Sequence, residues 1–566
     1  MSTTVDYKYL IDLPEWRALS QPLAASSGGV IGTSGTSMAI DMRCRDYAHP
    51  MVYFMGSGAI MYNYHIKNDG WHIIASTGIT GTAGQGATSV FCPTLGQRGT
   101  IGTAAGGNTT TRFALTTALT ANVIANQLSN RGDGLGFIVR VIGNAAGSSG
   151  KIEERRVAAN TAGSSITVWL DKPLSFVPAA GDTYEFLSGS VLFLQTGSFV
   201  AGQLRRYDIL TNSFSNPITT GILGTIPTTH NQMVALDEQY VPYDRNPGEG
   251  QIVGAATYDT IGDFTKGCLT ATGSAAGTLT GQSTGGDATV VANQYRNYQI
   301  RIVEDLTTPA AVGQRRRISS HTGPGASPVY SLANNWTVTP SATCRFVIEN
   351  DSDRVLCFFG GQTTIYNFFI SANTNPGATL GFDTTSWVGA TTRTTAPVAG
   401  GLTWHAFGIK SEAENNIKSS NIISWRGGTS FVYDVFDISA SATGSWTNNL
   451  SMLQTGNSTG DNFAGAAEYI YFAYNPHTQG GAYMYTALGG TTSVSNAQRT
   501  YIRFNSKNGV MEKVAGMKVA SGNNSAAGFN CSFCTVFQDG NTKIAFYNTT
   551  RLLSAGTDFY QLMLTF

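Results

Sequence analysis

Short apolar runs recur along this chain, each bounded by Gly, Asn or Asp. In Ile166-Thr-Val-Trp-Leu170 the residues Ile166, Val168 and Leu170 fall on one face of a period-two strand. Val191-Leu-Phe-Leu194 and Val355-Leu-Cys-Phe-Phe359 are apolar at every position, the pattern of a strand buried on both faces. Almost no segment holds apolar residues at helical spacing for more than two turns, so the chain is predicted to be all-β with very little helix.

One set of strands occurs twice. Val123-Ile-Ala-Asn-Gln-Leu-Ser-Asn130 matches Val290-Val-Ala-Asn-Gln-Tyr-Arg-Asn297, and Phe137-Ile-Val-Arg140 matches Tyr298-Gln-Ile-Arg301. Arg155-Arg156-Val157 matches Arg316-Arg317-Ile318, Thr161 stands against Thr322, and Tyr184-Glu-Phe186 against Phe346-Val-Ile348. Gly102-Thr-Ala-Ala-Gly106 matches Gly273-Ser-Ala-Ala-Gly277 upstream. The order is kept and only loop lengths drift, which predicts two superposable β domains. The paired arginines of each copy read as a half-exposed strand.

The first copy carries a resemblance. A strand ending in Arg, a Gly/Ala-rich turn, Arg155-Arg-Val157, Ala159-Asn-Thr-Ala162, a hydrophobic strand and Pro178-Ala-Ala-Gly-Asp-Thr-Tyr184 resemble a small β module common in virion proteins of tailed bacteriophages. Residues 150–186 carry it best. The second copy departs from the pattern, with Ser341-Ala-Thr-Cys344 where the first has Gly181-Asp-Thr-Tyr184. The two modules cover about a third of the chain. The resemblance implies a virion structural protein and does not specify the part.

Outside the modules a second unit repeats: a hydrophobic strand, a Gly or Gly-Gly, a strand with Tyr-Asn or Tyr-Asp, a turn, then an aromatic. Met51-Val-Tyr-Phe-Met-Gly56 leads to Ile60-Met-Tyr-Asn-Tyr64 and Trp71. Val191–Leu194 and Gly197 lead to Leu204–Ile209 and Phe214. Val355–Gly361 leads to Ile365-Tyr-Asn-Phe-Phe369 and Trp387, and Ile422–Gly428 to Val432-Tyr-Asp-Val-Phe-Asp437 and Trp446. Looser units start at Tyr469 and Lys543. The unit resembles the kelch repeat, which implies a β-propeller of about six blades; a multi-domain β-sandwich is the competing architecture. One module is expected between the first and second blades and the other between the second and third. Tyr9-Leu-Ile-Asp-Leu-Pro-Glu-Trp16 resembles the end of a blade and is expected to pair with C-terminal strands. The predicted organisation is propeller over 1–95, module copy 1 over 96–187, a blade over 188–265, module copy 2 over 266–350, and the remaining blades over 351–566.

Composition narrows the function. Charged residues are 12%, roughly half the usual share, and 35 basic residues balance 35 acidic ones. Such a chain has no basic field to hold nucleic acid or an anionic membrane, and little charge to keep copies of itself apart. Its seven cysteines are odd in number and irregularly spaced, which argues against a disulfide framework. Cys531-Ser-Phe-Cys534 has no second pair with which to complete a zinc site, and reads as strand and turn. The N-terminus lacks a signal-peptide pattern and no apolar run reaches membrane-spanning length.

Chemistry-bearing motifs are weak. Gly147-Ser-Ser-Gly-Lys151 lacks the spacing of a phosphate-binding loop. Asn68-Asp-Gly-Trp71 reads as a turn rather than a sialidase box, and Arg131-Gly-Asp133 as a loop rather than an adhesion signal. No catalytic, cofactor-binding or metal-ligating residue is assigned, and no enzyme activity or cofactor is expected. Two functional classes stay open. One is a tailed-phage virion component made in the host cytoplasm, tail- or neck-associated and assembled as a ring or array, with head decoration or host attachment as rivals. Its expected partners are copies of itself, other virion proteins and, for an attachment role, a host surface glycan. The other is a carbohydrate-binding or carbohydrate-cleaving propeller.

Overall fold

The computed structural model describes residues 15–18, 37–41, 51–55, 61–66, 68–74, 88–92, 95–132, 134–143, 148, 151–195, 203–214, 232–235, 269–281, 292–293, 299–322, 327–349, 354–358, 363–369, 388–394, 404–407, 421–425, 432–437, 445–451, 453–454, 473–474, 483–488, 500–505, 510–516, 533–538, 543–551 and 557–565. Among them the regular structure is strand, with two single-turn 3₁₀ segments at Gln127–Ser129 and Pro309–Ala311. The described residues are all-β, as the hydrophobic pattern of the chain predicts.

Among the described residues the body shows six small sheets, five of four strands and one of five. The first is a meander of Ser37–Asp41, Met51–Met55, Met61–His65 and Gly70–Ile74. Others follow the same antiparallel pattern through Asn421–Trp425 and Val432–Asp437. The first strands of several successive sheets lie side by side: Ser37–Asp41 against Thr88–Cys92, and Thr88–Cys92 against Gln232–Ala235. Glu15–Ala18 pairs antiparallel with Thr557–Thr565, Glu15 opposite Met563, so the expected pairing of the two chain ends is present. Gly56, Gly197, Gly361 and Gly428 lie outside the described residues. Each falls in the segment joining the second and third strands of its sheet.

The modules differ from expectation in where they enter. They interrupt sheets rather than separate them. Copy 1 leaves after Thr88–Cys92 and returns at Ser190–Gln195, and these two strands pair directly, Ser190 opposite Cys92. Copy 2 leaves after Gln232–Ala235 and returns at Arg354–Phe358, which also pair. In the sequence each unit is recognisable from its strongly apolar second strand onward. The shorter first strands, Thr88-Ser-Val-Phe-Cys92 and Gln232-Met-Val-Ala235, carry too little apolar signal to be recognised alone.

Strands of the two modules are numbered here in chain order. Copy 1 contains β1 (Arg98–Gly102), β2 (Arg112–Leu115), β3 (Ile138–Ile142), β4 (Ile152–Asn160), β5 (Thr167–Leu170) and β6 (Thr183–Phe186). They close into a six-stranded barrel in the order β4-β5-β2-β1-β6-β3. Alternation places Val139, Val141, Val157, Val168, Leu170, Tyr184 and Phe186 inside, joined by Phe113, Leu115 and Ile166. Burying each such side chain contributes about 1.5–3 kcal/mol. Gly136 brings its chain against β4: a Cβ there would stand 2.0 Å from the Val157 carbonyl oxygen.

Copy 2 contains β7 (Leu269–Thr270), β8 (Gly273–Ala275), β9 (Thr278–Thr280), β10 (Gln299–Glu304), β11 (Arg315–His321), β12 (Val329–Leu332) and β13 (Arg345–Glu349). Its order, β7-β13-β10-β11-β12-β9-β8, repeats that of copy 1 as an open sheet. Equivalence extends to the register. The β4–β5 ladder slips between Val157 and Ala159, and the β11–β12 ladder slips at the matching pair Ile318 and Ser320. Thr161 Oγ1 accepts the Thr167 N–H at 2.9 Å; Thr322 Oγ1 accepts the Val329 N–H at 2.9 Å. The cores differ in their connections. That of copy 1 runs on into the body through Phe91, Phe193 and Tyr207, whereas Ile300, Ile318, Tyr330 and Phe346 of copy 2 form a cluster of their own.

Candidate functional site

A charge constellation lies on the outer face of the copy 1 barrel. Registers set it up: Arg98 on β1 is opposite Glu185 on β6, Glu185 is opposite Arg140 on β3, and Arg140 is opposite Glu154 on β4. One rung of four strands therefore alternates in charge, the favourable arrangement for cross-strand neighbours. Arg140 donates to Glu154 Oε1 from Nη2 at 2.7 Å and from Nε at 2.9 Å, and from Nη1 to Glu185 Oε2 at 3.3 Å.

This rung is an outer face, yet Arg98, Arg140 and Glu185 are buried. Copy 2 covers it. Arg315 Nη1 of β11 stands 3.9 Å from Glu185 Oε1. Burial pushes the Glu185 carboxyl up, but Arg315, Arg98, Arg140 and Arg301 together outweigh it and hold its pKa down to about 2. Arg98 is drawn down to about 10, chiefly by burial, with Glu185 opposing and Arg315, Arg140 and Arg206 adding to the fall. The body closes the junction: Arg206 is lowered by burial, with Asp208 opposing. Asp208 accepts hydrogen bonds from Gln97 and, at 3.2 Å, from Thr120 Oγ1 of the module.

Other residues singled out in the sequence have structural places. Arg155 Nε donates to the Pro173 carbonyl at 3.0 Å, and its counterpart Arg316 Nε donates to the Asn335 carbonyl at 2.8 Å. Each fastens the loop that follows the next strand of its own module. Arg155 and Arg156 are half-exposed as expected. Arg316 is not: it is fully buried, with its guanidinium carbon 5.3 Å from the Trp336 ring centroid. The large aromatic at 336, beyond the repeat match, accounts for the difference. Arg131 is buried, and Gly132, at φ +106°, leaves a gap in which a Cβ would stand 2.7 Å from the His65 ring. Asp133 lies outside the described residues, as does Cys531; Cys534 is in the strand Phe533–Gln538. Asn68–Trp71 is a turn in which Asp69 has φ 47° and accepts the Tyr64 hydroxyl at 2.8 Å. Among the described residues no group of three or more His, Cys, Asp or Glu is arranged to hold a metal ion. No described helix is long and apolar enough to cross a membrane.

Glu185 is not recognisable as a site residue from sequence, because its meaning depends on a register across four strands and on Arg315 of the second module. The one available signal was a charged residue between Tyr184 and Phe186 facing Val347 in the repeat.

No protein-family model matches this chain, and no curated protein matches it. Similar solved structures include a chain of the mitotic checkpoint complex, 8% identical over 97% of this chain and 92% of that one, with a TM-score of 0.29. A putative 6-phosphogluconolactonase from Bacteroides fragilis is 10% identical over 75% and 93%, with a TM-score of 0.23. An oligogalacturonate lyase in complex with manganese is 14% identical over 66% and 86%, with a TM-score of 0.18. Likeness this weak does not bear on what the chain does.

Proposed function

We propose that this chain is a structural component of a tailed-phage virion: a six-bladed, kelch-like propeller with a β module inserted in each of two blades. The observation that carries the reading is the duplicated module. Residues 150–186, which resemble the phage virion module, form the β4 to β6 half of the copy 1 barrel, and the same strands recur in copy 2. Six small sheets, adjacent first strands and the pairing of Glu15–Ala18 with Thr557–Thr565 support a ring of blades.

Within the virion the chain is a tail- or neck-associated unit that binds copies of itself and other virion proteins. Its neutral balance and sparse charge suit contacts made by hydrogen bonds and small apolar patches. A permanent assembly of this kind buries on the order of 2,000 Å² or more per interface. The test is to label the protein in purified particles and find it by electron microscopy. Regular copies around the tail axis are expected. A chain missing from particles that binds immobilised glycans would replace this reading with the carbohydrate-binding propeller.

A further inference from the structure

The two modules share a scaffold but differ on one outer face. In copy 1 the outward positions of β2 and β5 are Arg112, Ala114, Thr167 and Trp169, all half-exposed, while Phe113, Val168 and Leu170 point inward and are buried. Trp169 is opposite Arg112 on β2 and Ala159 on β4, and Thr167 is opposite Ala114. The same ladders in copy 2 pair Ser331 with Thr278 on β9 and with Ser320 on β11. Copy 2 therefore has Ser331 where copy 1 has Trp169, and Thr278 where copy 1 has Arg112. The scaffold needs neither the indole nor the guanidinium at these positions, and Trp169 is not part of the barrel core.

Round the closed barrel β5 is as far from β6 as a strand can be, so Trp169 faces away from Glu185 and from the Arg315 that meets it. Ala114 and Ala159 carry only methyl groups and are too short to cover the ring. Arg112 Nη2 donates to the carbonyls of Gly106 at 3.1 Å and Gly107 at 2.6 Å, which anchors the guanidinium on this face. A protein partner would call for a cluster of large apolar groups. This face has one, and Ile124, Val177 and Leu306, the exposed large hydrophobics among the described residues, lie on other segments. A nucleic acid would call for a basic field, which the balanced charge of the chain does not supply. A single aromatic ring set among a hydroxyl, methyl groups and one anchored guanidinium suits a sugar. The C–H face of a pyranose packs on the electron-rich face of an indole, while its hydroxyls find donors and acceptors at the rim. We propose that this face of copy 1 is a binding platform for a neutral saccharide, with Trp169 stacking on the sugar ring and Arg112 and Thr167 bonding its hydroxyls. The inference goes beyond the virion reading and holds whether or not the chain belongs to a particle.

The experiment titrates the full chain with cellopentaose, maltopentaose and chitopentaose, and follows Trp169 by oxidative footprinting. At least one of these sugars is expected to bind with a Kd of ~1 mM and to slow oxidation of Trp169 at saturation. Trp169→Ser and Arg112→Thr install the residues that copy 2 already carries at these positions. They are expected to weaken binding by ~10-fold or more and by ~3-fold or more, with the melting of the protein little changed. Footprinting of the unaltered protein decides the matter if either variant fails to fold. Binding by none of the sugars below ~10 mM would overturn the proposal, and so would binding that leaves Trp169 oxidation unchanged. Self-association that Trp169→Ser abolishes, with no sugar bound by the unaltered chain, would overturn it in favour of a second copy as the occupant. A chain found in particles that binds none of the sugars loses this site and keeps the virion reading; a chain absent from particles that binds through Trp169 does the reverse.

Discussion

Asn126 and Asn293 hold the same left-handed turn in the two modules, at φ 63° and 61°. The Asn126 N–H donates to the Asn160 carbonyl at 2.9 Å, and the Asn293 N–H to the His321 carbonyl at 3.1 Å. Asn is among the few residues that enter this region readily. Asn293→Gly should therefore cost less than Asn293→Ala, although both lose the bond that Asn293 Oδ1 accepts from the His321 N–H. The expected gap is about 1 kcal/mol, read from denaturant dependence of exchange in β11. Equal losses would show that backbone strain does not matter there.

Acid should weaken the junction before it melts the cores. Glu185 sits at about 2 in the folded protein, below the usual carboxyl value of 4.5. Its contribution is fully present above the unfolded value and is lost as pH falls through the folded one, so the window runs from about pH 4.5 to 2. The shift corresponds to on the order of 3 kcal/mol. Protection of β6 and β11 measured across this window should fall, and Glu185→Gln should flatten the curve from a lower starting point. A profile identical to wild type in that variant would remove Glu185 from the account.

Cys344 should behave as a core residue. Burial, and secondarily the charge of Asp305, push its thiol up to about 12. An alkylating reagent at neutral pH should leave it unmodified in the native protein and label it after denaturation. Cys344→Ser places a hydroxyl in the same site and should cost about 1–3 kcal/mol. Labelling of native protein at the rate of an exposed thiol would contradict the packing of copy 2.

The contact between Gly132 and His65 ties copy 1 to the first sheet. Gly132→Val adds a side chain at a positive φ and in space already filled by the ring, and should destabilise by about 1–3 kcal/mol. Peptides containing Arg-Gly-Asp should not compete with any surface binding by this protein, since Arg131 is buried. Competition by such a peptide would reopen the adhesion reading.

Removal of each module should give different outcomes. Replacing 269–349 by a short Gly-Ser bridge removes a core cluster separate from that of the body, lying between two strands that pair with each other, and should leave a folded body. Replacing 96–187 severs a core shared with Phe193 and Tyr207, and should prevent folding. Circular dichroism and melting of the two deletions decide the matter; two folded products would show that the shared core is dispensable.

Much of this architecture is legible in the chain. The duplication was visible because matched pairs such as Asn126 and Asn293, or Thr161 and Thr322, do the same local work through backbone turns and short side-chain bonds. Local work leaves a local signature. The inward face of β5 was equally plain from Ile166, Val168 and Leu170, all buried as alternation requires. The entry points of the modules were not, because strands of four or five residues with mixed polarity acquire meaning only from their partners. The Arg98–Glu185–Arg140–Glu154 rung was hidden for the same reason. Its members are scattered over β1 to β6, and only the ladder registers place them in a row.

The pairing of Glu15–Ala18 with Thr557–Thr565 also sets a timetable. An early segment of the chain waits for its partner strand until residues 557–565 have been synthesised, while both modules already have all their strands. Contacts so distant in sequence are slow to form and leave an edge open in the meantime. The modules should thus be native on the nascent chain well before that sheet, making it the last piece of the body to set and the one most in need of protection while it forms.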